Sequence, residues 1–260
     1  MEIAIIYEDE DVVVIDKPAG ITVNRADTTK DEQTIQDWAE NYIGIENSEE
    51  RIKNHKKFGE EGWDPKADFY PRGGIVHRLD KETSGILILA KNPEAFVTLQ
   101  KQFHDRVVKK EYMAFAHGEI SPKEGEINVP VGRLPWNRKS FGIVPGGRES
   151  KTLYKVLEIY INPKTKEKLS LVELYPQSGR THQIRVHLKY INHPIFSDFL
   201  YAGRKTSRND RNVLSRVFLH ASKITFRHPK TNKSITLTAP LTAELTQCLD
   251  TFAKQSSDNN

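Results

Sequence analysis

The sequence of 260 residues contains only one cysteine and two methionines, and it has no long apolar run. The single cysteine, Cys248, excludes an intrachain disulfide and any zinc site that is built from several cysteines. Every apolar run is far shorter than the ~18–20 residues that cross a bilayer. The N-terminus, Met1-Glu2-Ile3, has an acid where a signal peptide carries basic residues. We therefore expect a protein of the reducing cytoplasm that does not bind a membrane.

The sequence also lacks the motifs that bind common cofactors. It contains neither a phosphate-binding loop nor a dinucleotide-binding fingerprint. His182 and His187 are five residues apart, which is a poor spacing for one helical face, and no acidic ligand accompanies them or His193 and His220. The sequence therefore predicts no cofactor and no metal ion.

Charge is present in quantity, but it is unevenly distributed. Residues 1–50 hold 3 Lys/Arg and 14 Asp/Glu, a net charge of −11. Residues 51–260 hold 36 Lys/Arg and 21 Asp/Glu, a net charge of +15. The larger, basic part of the chain is typical of a protein that binds a polyanion such as a nucleic acid.

The apolar pattern predicts many short strands and few helices. Short β-branched or alternating runs predict strands at 3–7, 12–15, 86–90, 111–117, 152–159, 169–175, 217–226 and 234–238. Helical spacing and capping residues predict helices over 34–43, with Thr34 as cap and Asp37 three residues on, after Asn92-Pro93, and from near Thr181. Because the two element types do not alternate strictly, we expect an α+β fold with a largely antiparallel sheet.

No linker divides the sequence, so we expect a single domain over residues 1–245. Residues 46–73 are polar and lack a clear period, which indicates a surface insertion. A Gly/Pro/Arg-rich loop is expected at 132–150, and a basic loop at 202–216. Residues 246–260 are expected to form a polar tail.

The densest group of reactive side chains lies in residues 74–85, between two apolar segments. Asp80 stands there between Arg78 and Lys81, and nearby cations favour the ionised form of a carboxylate. An ionised carboxylate can act as a nucleophile or a general base. The alternative interpretation is a turn aspartate that caps the following backbone.

A second polar group lies in residues 176–187. Gly179 supplies a flexible turn, and Thr181 is expected to cap a helix whose N-terminus favours anions. His182 and Arg185 are three residues apart and would share one helical face. This group is either a cradle for a phosphate or carboxylate, or a solvated basic first turn.

A third candidate is Tyr112, which shares one strand face with Ala114 and Ala116. It is either a core aromatic with a satisfied hydroxyl, or a platform on which a base stacks.

Together these segments resemble the pseudouridine synthases of the RluA type. The catalytic motif of that family is similar to His77-Arg78-Leu79-Asp80 followed by Thr83-Ser84-Gly85. Five further segments follow the family's order: Asp16-Lys17-Pro18-Ala19-Gly20, Lys110-Glu111-Tyr112, Gly179-Arg180-Thr181-His182-Gln183-Ile184-Arg185, His193-Pro194-Ile195, and Leu219-His220-Ala221 with His228-Pro229. The resemblance covers residues 3–240 and implies the pseudouridine synthase fold, in a short form without the N-terminal S4-like RNA-binding domain.

The resemblance implies that uridine within tRNA or ribosomal RNA is isomerised to pseudouridine without a cofactor. The C1′–N1 bond breaks, the uracil rotates, and a C1′–C5 bond forms. The resemblance also implies that Asp80 is the essential carboxylate, that Tyr112 stacks on the uracil and assists proton removal from C5, and that Arg185 pairs with Asp80. Three routes stay open for Asp80: attack at C1′, addition at C6, or proton handling around a glycal-like intermediate.

RNA would be the partner of this chain, which we expect to act as a monomer without an obligate protein partner. A base inside a folded RNA must leave its stack, which costs a few kcal/mol. Arg78, two residues from Asp80 and on the same side of an extended segment, is the candidate for filling the resulting gap. The other expected RNA contacts are Lys17, Lys110, Arg180, His182 and the segment 202–216.

Two alternatives belong to other functional classes. One is an RNA-binding or RNA-folding module without catalysis, against which the intact Asp80, Tyr112 and Arg185 argue. The other is a hydrolase that uses Asp80 and His77 on a glycosidic or phosphodiester bond. The sequence offers no second acid at a clear partner position, which weighs against a two-carboxylate glycosidase.

Overall fold

In a computed structural model, which describes residues 1–26, 29, 32–45 and 65–255, the chain forms two compact units. The first unit comprises Met1–Lys109 and Lys223–Ala239, and the second comprises Lys110–Ser222 and Pro240–Asn260. Two of the three boundaries fall inside strands. No composition change marks such a boundary, and for this reason the sequence predicted one domain over residues 1–245.

The strands in chain order are β1 (Ala4–Glu8), β2 (Val12–Lys17), β3 (Ser84–Ala90), β4 (Lys109–His117), β5 (Glu124–Asn128), β6 (Gly132–Leu134), β7 (Asn137–Gly142), β8 (Lys151–Ile161), β9 (Lys168–Pro176), β10 (Leu219–Arg227), β11 (Ser234–Thr238) and β12 (Ala253–Lys254). The helices are α1 (Ile35–Ile43), α2 (Pro93–His104), α3 (Gln183–Tyr190), α4 (Arg204–Asp210) and α5 (Ala243–Asp250). A 3-10 helix covers Pro65–Phe69. The fold is α+β with a mostly antiparallel sheet, as the sequence predicts. No helix in the described part of the chain is long and apolar enough to cross a bilayer.

The first unit is built on the antiparallel strands β1, β2 and β3, with β11 paired to the second half of β10. The apolar runs of β2 and β3 are buried on both faces, which explains why they are continuous rather than alternating. The predicted caps of both helices are confirmed. Thr34 and Asp37 form a capping box at α1, and Asn92 accepts from the Ala95 N–H ahead of Pro93 at α2.

The second unit is built on the antiparallel strands β4, β9 and β8, with β5 and β12 paired to β8. An aromatic cluster forms the centre of its core. The Phe115 ring lies 5.1–5.7 Å from the rings of three other phenylalanines, Phe196, Phe218 and Phe252. Edge-on and tilted aromatic pairs of this kind stabilise a core beyond the area that they bury.

Three sequence expectations about ordered structure were wrong. The basic loop expected at 202–216 contains α4, which buries only Ser207 and Asp210 and therefore has no apolar period. The polar tail expected from residue 246 contains most of α5, which buries Leu245, Cys248 and Leu249 in the second unit's core. Burial raises the pKa of the Cys248 thiol to about 12, so the thiol stays protonated and inert.

The third expectation concerned the polar insertion at 46–73. Residues 46–64 lie outside the described part of the chain. Residues 65–73 are not a surface loop throughout, because Phe69 in the 3-10 helix is buried against the Phe96 ring of α2, 5.9 Å away. The segment therefore contributes to the core of the first unit before it reaches the Asp80 motif.

Candidate active site

The first residues of the loop that carries Asp80 are fixed to β3. The Ala90 N–H donates to the Gly74 carbonyl at 2.9 Å, and Gly74 has a φ of +73°. A Cβ at position 74 would lie 2.2 Å from the Ala90 carbonyl oxygen, so only glycine fits there. The Ile88 N–H donates to His77 Nε2 at 2.9 Å. His77 is therefore a structural acceptor in this loop rather than a free base.

Asp80 itself is partly buried and begins a turn. Its carbonyl oxygen accepts from the Thr83 N–H at 3.1 Å, and Thr83 is buried. Arg78, two residues earlier, is exposed. Lys81 is exposed as well, but its Nζ contacts both carboxylate oxygens of Glu32 at 2.7 and 3.0 Å. Arg78 is therefore the more accessible of the two flanking cations, and its role in filling a gap in RNA stays a prediction.

Lys17 ties a second segment to the Asp80 loop. Its side chain is completely buried, and its Nζ donates to the carbonyls of Pro18 at 2.8 Å, Ile21 at 2.9 Å and Lys81 at 3.2 Å. The Gly20 N–H donates to the same Lys81 carbonyl at 2.8 Å. The expectation that Lys17 contacts RNA phosphates was wrong, because a fully buried ammonium presents no surface to a ligand. The lysine instead positions the backbone next to Asp80.

We expect Lys17→Met to lower the free energy of unfolding by about 3 kcal/mol, because it removes charge-assisted hydrogen bonds of a buried ammonium and leaves the Pro18 and Ile21 carbonyls without that donor. Urea unfolding monitored by circular dichroism measures this change. Lys230→Met, at an exposed lysine that contacts Glu10, is the matched control and should unfold like the wild type. A Lys17→Met variant as stable as this control would contradict the positioning role.

In the second unit, the turn before α3 differs from the sequence expectation. The helix begins at Gln183, and its N-cap is His182 in a left-handed conformation (φ 56°), so Thr181 does not cap it. The Gln183 side chain organises the turn by accepting from Ser178 Oγ at 2.6 Å and from the Arg180 N–H at 3.1 Å. His182 and Arg185 therefore do not share a helical face, because His182 lies outside the helix.

Arg185 is buried in α3 and held by Asp198 in a two-point ion pair. Its Nε lies 2.7 Å from Oδ2 of Asp198, and its Nη2 lies 2.8 Å from Oδ1. The Asp198 carboxylate is completely buried and also accepts from the backbone N–H groups of Leu200 and Tyr201. Two parallel bonds fix both the position and the plane of a guanidinium.

Tyr201 links Arg185 to His182. Its ring lies under the Arg185 guanidinium, 5.0 Å from Cζ, and its hydroxyl lies 2.8 Å from His182 Nδ1. Neither Asp198 nor Tyr201 was predicted as a site residue from the sequence. One signal for Asp198 was available, because it is the only acidic residue between Glu173 and Asp210.

The remaining predicted residues of the second unit lie around the turn that precedes α3. Lys110 Nζ donates to the Ser178 carbonyl at 3.2 Å, and Arg180 Nε donates to the Glu149 carbonyl at 3.4 Å. Tyr112 is partly buried on β4 and packs against the core of the second unit. The structure thus places Lys110 and Arg180 at the same turn. Asp80 belongs to the first unit and Tyr112 and Arg185 to the second, so their action on one substrate stays a prediction.

Two of the histidines considered as metal ligands, His187 and His193, have other partners. His187 is buried between Thr152 Oγ1 at 2.9 Å and Ser150 Oγ at 3.1 Å, and burial lowers its pKa, so it is neutral. His193 Nδ1 contacts the His117 carbonyl at 2.8 Å.

Within the described residues, one group has ligand atoms close enough for an ion: Asp9, Asp11 and His228. The Asp9 carboxylate already accepts from the Tyr7 hydroxyl, from the N–H groups of Asp11 and Val12, and contacts His228. An internal hydrogen-bond network therefore explains this group, and the absence of a metal ion stays a prediction.

His117 anchors the C-terminal end of α4. Its Nε2 lies 3.0 Å from Asp210 Oδ2, and its Nδ1 lies 2.8 Å from Glu167 Oε1. Asp210 also accepts from the Ser197 N–H at 3.1 Å. Burial alone would lower the pKa of His117, but the hydrogen bonds and charges of Asp210 and Glu167 outweigh it and raise the pKa above its ordinary value.

We expect the stability of the protein to fall as the pH rises through the raised pKa of His117. The folded state binds this proton more tightly than the unfolded state, so the stabilisation is complete below the unfolded pKa of about 6.5 and disappears at higher pH. Urea unfolding of the wild type and His117→Gln between pH 6 and 9 measures this effect. Their difference should shrink as the pH rises, whereas His104→Gln, at an exposed histidine, should track the wild type. A difference that is independent of pH would contradict the charged pair.

Comparisons with known proteins agree on one family. The family model described as RNA pseudouridylate synthase matches residues 11–190. The ribosomal large subunit pseudouridine synthase D of Neisseria meningitidis serogroup B is 36% identical over 248 residues, which cover 93% of this chain and 59% of that protein. An uncharacterized RNA pseudouridine synthase of Bacillus subtilis, YlyB, is 33% identical over 98% of this chain and 74% of its own length. The chain thus spans less than two thirds of the Neisseria protein.

Solved structures show the same fold. The human RNA pseudouridylate synthase domain containing 1 superposes with a TM-score of 0.68 at 25% identity, covering 99% of this chain and 92% of that one. The human RNA pseudouridylate synthase domain containing 4 superposes with a TM-score of 0.66 at 23% identity, covering 95% and 92%. The chain therefore shares the fold of these solved structures.

Proposed function

We propose, because the chain belongs to the RNA pseudouridylate synthase family, that it converts uridine to pseudouridine within structured RNA. In this isomerisation the C1′–N1 bond breaks, the uracil rotates, and a C1′–C5 bond forms. C5 loses a proton and N1 gains one, so the atoms balance without an oxidant, a reductant or an energy donor. The proposal accordingly needs no cofactor.

The observation that carries the proposal is the loop around Asp80. It lies inside the matched residues 11–190, and its backbone is fixed through Gly74 at one point and Lys81 at another. A carboxylate on a fixed loop next to a buried strand can be held in one orientation toward a substrate. We assign to Asp80 the role of the essential carboxylate.

Arg185 and Tyr112 complete the proposed catalytic set. Arg185 would act with Asp80 and keep it ionised, as in the resemblance above, and within the second unit its guanidinium is held by Asp198. Tyr112 would stack on the uracil and assist proton removal from C5. Arg78, exposed two residues before Asp80, would fill the gap left when the uridine is flipped out of its stack.

We propose ribosomal RNA as the first substrate class to test and tRNA as the second. The Neisseria relative is named for the large ribosomal subunit. Lys110 and Arg180 lie at one turn, and His182 precedes α3, so these three residues are proposed to contact phosphates. The buried, protonated Cys248 fits a reducing compartment, and we propose a monomer that acts in the cytoplasm.

Release of tritium from transcribed RNA that contains 5-tritiated uridine tests the function, because the C5 proton leaves during isomerisation. We expect release from ribosomal RNA or tRNA in amounts that correspond to one or a few uridines per molecule. RNA binding without release from either class would overturn the proposal in favour of an RNA-binding or RNA-folding module. Strand scission or free uracil among the products would overturn it in favour of a hydrolase.

A further inference from the structure

The hairpin of β6 and β7 presents a tryptophan to solvent. The two strands are joined by a two-residue turn, Pro135-Trp136, with Leu134 paired to Asn137. Trp136 is 79% exposed, more than any other large hydrophobic residue in the described ranges. Tryptophan is enriched among the residues that dominate binding energies, so an exposed indole at the tip of a hairpin points to a binding surface.

The base of this hairpin is closely packed. Val131 and Arg148 exchange two backbone hydrogen bonds of 2.9 Å each and close the segment that contains it. At Gly132 a Cβ would lie 2.5 Å from Cγ2 of Val144, so the chain passes there only because the residue is glycine. The hairpin is therefore held on a defined base rather than joined by a loose loop.

The base of the hairpin contacts residues that are linked to Arg185 within the second unit. The Phe141 N–H donates to the Tyr201 hydroxyl at 3.0 Å, and the Phe141 ring meets His182 edge-on at 5.4 Å. Tyr201 in turn lies under the Arg185 guanidinium. The hairpin therefore projects from the packing around Arg185 and does not stand apart from it.

All charged residues in the segment 129–148 are basic. Residues 129–148 contain four basic residues, Arg133, Arg138, Lys139 and Arg148, and no acidic residue. Arg133 and Arg148 are exposed, and the Arg133 guanidinium lies 4.9 Å from the centroid of the Phe141 ring. An exposed indole within an all-basic segment matches a nucleic acid, which supplies both flat bases and phosphates.

We propose that the hairpin Gly132–Gly142 is an RNA contact in which Trp136 stacks on an unpaired base while Arg133 and Arg148 face phosphates. This inference rests on the proposed function, since it names a contact with the same RNA. A protein or membrane partner fits less well, because Trp136 is the one exposed large hydrophobic residue in the described part of the hairpin and would bury little apolar area against either. An unpaired base offers both the flat face and the adjacent negative charge.

Affinity for a single-stranded oligouridylate of twelve nucleotides tests the stacking. We expect Trp136→Ala to weaken binding about tenfold and Trp136→Phe to restore most of the loss, since a benzene ring still stacks. Leu157→Ala, at an exposed apolar residue of β8, is the matched control and should bind like the wild type.

The salt dependence of the same binding separates stacking from charge. The slope of log affinity against log salt should not change in Trp136→Ala, because stacking releases no counterions. In Arg148→Ala the slope should fall by about 0.7, the value for one phosphate contact on a single strand. A reduced slope in Trp136→Ala would overturn the assignment of the indole to a base.

Fluorescence gives a second, direct readout. In a Trp38→Phe/Trp63→Phe variant, Trp136 is the only tryptophan that emits. Oligouridylate should quench it, whereas heparin, a polyanion without bases, should not. Equal quenching by both, or an unchanged affinity of Trp136→Ala, would overturn the stacking proposal. Tritium release by the wild type in the same preparation would leave the proposed function standing, so the two failures are distinguishable.

Discussion

Asp80→Asn is expected to reduce tritium release from uridine-labelled RNA by at least about a thousandfold. An amide cannot act as a nucleophile or accept a proton as a carboxylate does, so every route considered for Asp80 is blocked. RNA affinity should be retained or slightly increased, because the substitution removes a negative charge near a polyanion. Single-turnover release and filter binding measure the two quantities on the same RNA.

Asp105→Asn is the matched control for this experiment. Asp105 ends α2 in the same unit, and its exposed carboxylate contacts His104 and Lys101. Its loss should leave both turnover and RNA binding unchanged. Equal release by Asp80→Asn and Asp105→Asn would remove Asp80 from the proposed chemistry, while loss of RNA binding in Asp80→Asn would indicate a collapsed loop instead.

Asp198→Asn is expected to lower the free energy of unfolding by about 3–5 kcal/mol, because it leaves the buried Arg185 guanidinium without its counter-charge. The amide oxygen of asparagine can still accept from the N–H groups of Leu200 and Tyr201. The decrease in the free energy of unfolding would therefore result from the missing charge and not from a disrupted turn. Turnover by the folded fraction should also fall, since Arg185 loses the bond from its Nε to Oδ2 and with it the two-point contact that orients the guanidinium. Urea unfolding and tritium release measure these effects.

An exposed ion pair provides the comparison for Asp198→Asn. Glu94 contacts Lys66 at 2.8 Å, and both side chains are more than half exposed. Glu94→Gln should therefore leave stability unchanged, because solvent screens such a pair. If Asp198→Asn behaved like Glu94→Gln in both unfolding and turnover, Asp198 would not be the residue that positions Arg185.

Local patterns in the sequence correctly predicted several elements of the first unit. The capping pair Thr34 and Asp37, the cap-and-proline pair at Asn92 and the continuous apolar runs of β2 and β3 all depend on residues that are neighbours in the chain. Such patterns predict structure correctly because the interactions behind them join residues that lie within one or two turns of each other. The family motif around Asp80 was recognisable for the same reason, since it is contiguous.

Local patterns failed where an element is short or polar, or where a cap depends on packing. Helix α4 has no apolar stripe, so its sequence looks like a loop. Thr181 has the residue type of an N-cap, yet the turn is organised by Gln183 and the helix begins after His182. The preference of a residue type for a cap is small, and tertiary contacts override it.

The sequence by itself determined the fold class, the family and the segments in which its charged residues lie. Only the tertiary structure decided which of those charges are buried and what faces them. Lys17 donates to a carbonyl 64 positions away, and His117 contacts Asp210 93 positions away. The energy of a charge depends on the groups within a few ångströms of it. Distant parts of the chain supply those groups. For this reason the sequence predicted that Lys17 contacts phosphates, whereas in the structure Lys17 holds the backbone beside Asp80.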